Sequence, residues 1–171
     1  MNMRLLLIAL SALLIFPSCS RESDKELWRQ GKSAYDGKRV DESIRFFQRL
    51  VDEFPQSPLV PDALYRLGSI YQTDRNDPRR AAEYYEQIHR LHPESPFASK
   101  GLFLGGFLYA NALGDTQRAR TLYETYLRHY ADVDSNITRS IHMELKTLGK
   151  SPEEALREVR GETLIQGRKT R

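Results

Sequence analysis

Between residues 23 and 148 apolar residues return every three or four positions, the period of a helix with one buried face. Ser23-Asp24-Lys25-Glu26 reads as a capping box, with Ser as N-cap and Glu three residues on. Leu27, Trp28, Gly31, Ala34 and Tyr35 follow at helical spacing, and Asp36-Gly37 ends the run. Val40, Ile44, Phe47, Leu50, Val51 and Phe54 predict a second helix, stopped by Pro55. A third carries Leu64, Leu67, Gly68 and Tyr71, and a fourth Ala81, Tyr85 and Ile88 before Pro93. A fifth carries Leu102, Gly106 and Tyr109, and a sixth Ala119, Tyr123, Tyr126 and Leu127. Asn136 or Ser135 then caps a seventh with Ile137, Ile141, Leu145 and Leu148, ended by Gly149. Ser151-Pro152-Glu153-Glu154 starts a last short helix reaching Arg160, and from Glu162 a loose tail is expected.

The pattern repeats in identity as well as in polarity. Shifted by 38 residues, Pro55, Ser57 and Pro58 fall on Pro93, Ser95 and Pro96, and Leu64, Gly68 and Tyr71 on Leu102, Gly106 and Tyr109. Asp77, Arg80, Ala81, Tyr85, Glu86 and Arg90 complete 12 identities over positions 55–90. A fixed period of this size marks one helical hairpin stacked several times, and a diverged first copy precedes the two that match.

These units resemble the tetratricopeptide repeat. Large, small and third positions of the first helix read Leu27-Gly31-Ala34, Leu64-Gly68-Tyr71 and Leu102-Gly106-Tyr109. Small, bulky and Pro positions of the second read Ser43-Phe47-Pro55, Ala81-Tyr85-Pro93 and Ala119-Tyr123-Ala131, the last lacking its Pro. The resemblance implies an all-α, right-handed α-solenoid of three helical hairpins plus a C-terminal capping helix. The units run over about 23–56, 57–94 and 95–131, with the cap at about 136–148, so the array covers 23–149 and leaves 150–171 as a short helix and flexible basic tail. Against the family's period of about 34, the spacings of 37 and 38 place extra residues in Pro55-Gln56-Ser57-Pro58 and Pro93-Glu94-Ser95-Pro96. In such a hairpin glycine admits a close backbone approach, and Phe or Tyr is expected to fill the gap to the next hairpin.

The N-terminus changes the picture of where this array works. Arg4 precedes a twelve-residue apolar run, Leu5 to Phe16, too short to span a bilayer and of the length of an export signal. Phe16-Pro17-Ser18-Cys19 resembles a bacterial lipobox, with Phe16 and Pro17 departing from its usual residues. The expectation is a signal peptide over 1–18 and a lipidated Cys19 with linker to residue 22. The alternative is a plain secretory signal with Cys19 incidental. Ser20 in place of Asp points to a lipid-anchored protein of the outer membrane. The body is expected to face the periplasm. Cys19 is the only cysteine, so no disulfide forms within one chain.

Charge adds little. The net +3 falls to 25 basic against 23 acidic residues once 1–18 are removed, and much of the excess sits in the tail, so nucleic acid is not an expected partner. There is no nucleophile elbow, P-loop or dinucleotide fingerprint. His89-x-x-His92 has a spacing that can hold a metal, but it closes a helix and no carboxylate cluster accompanies it. No catalysis, metal, cofactor or small-molecule substrate is expected.

What the residues offer is a surface. The resemblance places the first helix of each hairpin along a partner-binding groove, with Trp28, Tyr65 and Phe103 at one position, Lys32, Ser69 and Phe107 at the next, then Tyr35, Gln72 and Asn111. The rings suit a helical or apolar segment of a protein partner, unless they pack against the neighbouring hairpin as core. The expected function is a non-catalytic envelope adaptor, with resemblance to the lipoprotein of the outer-membrane β-barrel assembly machinery and to the repeat domain of the Tol-Pal coordinator of cell division. A glycan-binding surface lipoprotein is the alternative of a different class.

Overall fold

The structure is a computed structural model that describes residues 22–158 and residue 160; the expected export signal, Cys19 and the end of the basic tail lie outside these residues. Seven helices follow one another: α1 (Asp24–Asp36), α2 (Val40–Glu53), α3 (Val60–Thr73), α4 (Pro78–Leu91), α5 (Ala98–Asn111), α6 (Thr116–Tyr130) and α7 (Ser135–Thr147). Residues 152–158 are also helical, and there is no strand among the described residues. Each helix packs on the one before and the one after it, which makes three hairpins, α1–α2, α3–α4 and α5–α6, closed by α7. The fold is an α-solenoid.

Within each hairpin a ring fills the place of a missing side chain. A Cβ on Gly31 would lie 2.7 Å from the Phe47 ring, on Gly68 2.6 Å from Tyr85, and on Gly106 2.5 Å from Tyr123. The three rings are at most 2% exposed. They seal their own hairpin and also face the next one: Phe47 lines the space shared with α3, and a Cβ on Gly105 of α5 would lie 3.7 Å from Tyr85 Cβ. Between hairpins the backbones themselves meet: a Cβ on Gly101 would stand 2.5 Å from the carbonyl oxygen of Tyr85, so α5 presses directly on α4. The matching residue one unit earlier is Ala63, fully buried.

Caps set the helix starts. Ser23 accepts from the Glu26 amide at 3.2 Å, while the Glu26 carboxylate turns to Arg29 and Gln30 instead of closing the box. Asp77 and Asp115 cap α4 and α6 by accepting from the Arg80 and Arg118 amides, both at 3.0 Å. Asp134, not Asn136 or Ser135, caps α7, accepting from the amides of both Asn136 and Ile137. Ser151 and Glu154 form the full reciprocal box ahead of 152–158.

The turn inside each hairpin holds one left-handed residue: Lys38 (φ 59°), Asn76 (φ 49°) and Gly114 (φ 67°). In the first unit that residue is Lys38 and not the glycine beside it, because Gly37 has φ −81°. The Lys38 and Arg39 amides donate back to the Tyr35 and Ala34 carbonyls, the pair of hydrogen bonds that closes a helix with a left-handed residue.

Candidate functional site

The first helices of successive hairpins lie side by side, and a cleft of about 260 Å³ opens along them. Tyr35 of α1, Phe47 of α2, Asp62, Tyr65, Arg66, Ser69 and Ile70 of α3, and Phe97 just ahead of α5 line it. Three hairpins thus contribute to one depression. Its apolar floor comes from buried Phe47 and Ile70, and Tyr65 spans the junction, 5.2 Å from the Phe97 ring and 5.7 Å from Tyr85.

One carboxylate organises the rim. Asp62 accepts from the Trp28 indole nitrogen at 2.7 Å on one oxygen and pairs with Arg66 Nε at 3.0 Å on the other. The Arg66 guanidinium lies 5.4 Å from the Trp28 ring centre, a cation–π contact that brings α1 and α3 together. On the far side Tyr35 donates its hydroxyl to Asp74 at 3.2 Å. The Tyr85 hydroxyl donates to Gln72 Oε1 at 3.2 Å, and burial pushes its pKa well above that of a free phenol, so it stays a donor. The cleft therefore presents rings and a paired acid and base, a chemistry that suits side chains of a protein segment.

Of the nine residues singled out in the sequence, Tyr35, Tyr65 and Ser69 line this cleft and Trp28 braces its rim. Trp28, Tyr65 and Phe103 are each half-buried against the core, sharing one register position as expected. Gln72 holds Tyr85 beneath, and Lys32 is paired with Asp36 at 2.9 Å. Phe107, 40% exposed, stands on α5 outside the lining. Asn111 is a correction: Ala110 is the residue in register with Tyr35 and Gln72, and the Asn111 amide turns back to the Phe107 carbonyl at 3.1 Å. Asp62, Arg66 and Phe97 were missed. The i,i+4 acid–base pair reads in sequence as an ordinary surface pair, and Phe97 lies in a loop where helical periodicity gives no signal.

Of the histidine pair, His89 is otherwise engaged. Tyr130 donates its hydroxyl to the Pro93 carbonyl at 2.6 Å, so His89 Nδ1, 2.8 Å away, is the donor to the Tyr130 oxygen. The His89 ring stands 5.5 Å from His129. Among the described residues no group of three or more His, Cys, Asp or Glu could hold a metal ion. Among the same residues no helix is long and apolar enough to cross a membrane.

No match is found among curated proteins. Comparison with protein families matches the tetratricopeptide repeat at residues 27–57, 62–95 and 101–132, the three hairpins seen in the structure. That repeat is in general a non-catalytic module for protein–protein interaction. With three matched units covering more than half of its length, this chain belongs to the tetratricopeptide-repeat family.

Proposed function

We propose that the protein is a non-catalytic adaptor of the bacterial envelope, tethered through acyl chains on Cys19, that grips a segment of a partner protein along its first-helix face. The single observation that carries the binding part is the aromatic cleft to which all three hairpins contribute, lined by Tyr35, Tyr65, Ser69 and Phe97. A partner's apolar side chain seated against the Tyr65 and Phe97 rings would remove ring surface from water. The rim hydrogen-bonding groups would fix the segment's direction. The anchor part rests on the apolar run ending at Ser18-Cys19. The outer-membrane location is read from Ser20 in place of Asp, and the role in assembling outer-membrane proteins from the resemblance in lipobox-like segment and long-period repeats. Coordination of the Tol-Pal type is the second reading, separated from the first by the partner's identity.

The test places a photoactivatable cross-linking residue at Ser69 or Tyr35 and, as a control, at Arg120 on α6, in cells making the full chain. Capture of the same envelope protein from both cleft positions and not from Arg120 is the expected result. Capture from Arg120 alone, or none from the cleft, would reject this face as the binding surface. Barrel-assembly subunits among the products favour the first reading and Tol-Pal subunits the second.

A further inference from the structure

The loops that join one hairpin to the next all lie on one edge of the solenoid. The Ser57 hydroxyl, in the α2–α3 loop, donates to Asp24 Oδ2 at 2.6 Å, which brings that loop to the start of α1. Tyr130, at the end of α6, reaches Pro93 in the α4–α5 loop. The turns within hairpins form the opposite edge, where Tyr35 meets Asp74 and Arg75 pairs with Asp41. The chain enters the array on the loop edge and is fastened there. Glu22 accepts from Arg49 Nη1 at 2.7 Å and from Gln30 Nε2 at 2.8 Å, and Arg49 also holds Glu53 at 2.9 Å.

Only Ser20 and Arg21 separate Cys19 from Glu22. Three residue steps span at most about 11 Å, whereas a helix of this array, 14 residues in α3, is about 21 Å long. Cys19 is therefore tied to within about 11 Å of Glu22 on the loop edge, too short a tether to reach the opposite edge. Two of the exposed large apolar side chains, Leu91 (48% exposed) and Val133 (65%), also lie on the loop edge. The charges exposed beside them are mixed in sign, Arg90, Lys100 and Arg128 against Glu94 and Asp132.

Building on the lipid-anchor reading, we infer that this loop edge rests on the bilayer. Leu91 and Val133 sit at the headgroup boundary, the helices stand away from the membrane, and the hairpin turns point outward. The bound surface is lipid, held by the anchor and the apolar tips and not by attraction to anionic headgroups. It gives the Pro-Gln-Ser-Pro and Pro-Glu-Ser-Pro loops a role that partner binding leaves open.

The experiment uses the full chain, lipidated in a bacterial host and reconstituted into vesicles with quencher-bearing headgroups. Acylation consumes the Cys19 thiol, so one introduced cysteine is the sole labelling site. Labels at Gln56→Cys and Glu94→Cys on the loop edge are expected to be quenched at least two-fold more than labels at Arg79→Cys and Gln117→Cys near the hairpin turns. A twenty-residue Gly-Ser insertion after Ser20 is expected to reduce that difference without loss of acylation. Equal quenching at the two edges of the vesicle-bound parent, or the reverse order, overturns the orientation. Failure of the chain to incorporate fatty acid is a different result, which removes the anchor reading and the orientation with it.

Discussion

At the scale of single residues, ring and glycine act as a pair. Gly68 is the hollow into which Tyr85 fits, and a methyl there would sit 2.6 Å from a ring that has neighbours on every side. Gly68→Ala is therefore expected to cost about 1–3 kcal/mol by overpacking, read as a lowered midpoint in urea denaturation. Lys38 is the converse case. Its φ of 59° is one that an L side chain adopts at a cost of roughly 1–2 kcal/mol, and the equivalent residue in the third hairpin is Gly114. Lys38→Gly is expected to raise stability by about 0.5–1 kcal/mol, the strain relieved less the entropy that glycine adds to the unfolded chain. An unchanged or lowered denaturation midpoint would contradict this account of the turn. The repeat identities read in the sequence have the same kind of physical content. Arg80 lies over Tyr71 at 5.4 Å and Arg118 over Tyr109 at 4.7 Å, so two of the matched pairs are one contact made twice. The first hairpin has Ala34 in place of the tyrosine and no such contact, which is why it matched less well by identity. What could not be read was contact across turns and loops, such as Ser57 to Asp24, because no period relates those residues.

Helix ends show how far the elements were legible. Apolar periodicity gave all seven helices to within a few residues, since each buries one continuous face, but the choice of cap depends on backbone angles that sequence does not display. Asp77 and Asp115 cap their helices, whereas Arg39 holds the equivalent place in the first hairpin and makes no side-chain cap. Its backbone, φ −89° and ψ 69°, is already close to that of Asp115 at −86° and 77°. Arg39→Asp is expected to add about 1 kcal/mol, less whatever the exposed pair with Glu42 supplies, as a rise in thermal midpoint. The contact between α4 and α6 carries a pH dependence. Burial first, and the neighbouring His129 second, hold the His89 pKa below the ordinary imidazole value. The fold therefore favours neutral His89. Its contribution is complete above about pH 6.5, the unfolded value, and is lost as the pH falls through the depressed folded value. Denaturation midpoints measured between pH 5 and pH 8 should fall toward acid more steeply in the parent than in His89→Asn, whose amide can still donate to Tyr130. Identical pH profiles would mean that His89 is not the group responsible.

Across the whole molecule, stability is a sum over neighbours, because each hairpin touches only the next. The middle hairpin has support on both sides, with Gly101 letting α5 press on the back of α4. The first is reinforced by the Glu22–Arg49–Glu53 network and by the Asp24–Ser57 bond to the loop that leads into α3. The last has α7 alone, whose one fully buried residue is Ile141. Its other apolar residues, Ile137, Leu145 and Leu148, are half-buried against the core. Protection of backbone amides from hydrogen exchange should accordingly be greatest in α3, α4 and α5 and least in α7. Ile141→Asp should release α7 by placing a carboxylate in an apolar site with no partner. That change uncovers Tyr123 and Tyr126, so protection in α6 is expected to drop at least ten-fold, while α3 and α4 exchange as before. If the substitution instead lowers protection evenly from α1 to α7, the array unfolds as one cooperative unit. The nearest-neighbour picture, in which the part of the cleft built by α1, α2 and α3 stays formed when the far end frays, would then have to be given up.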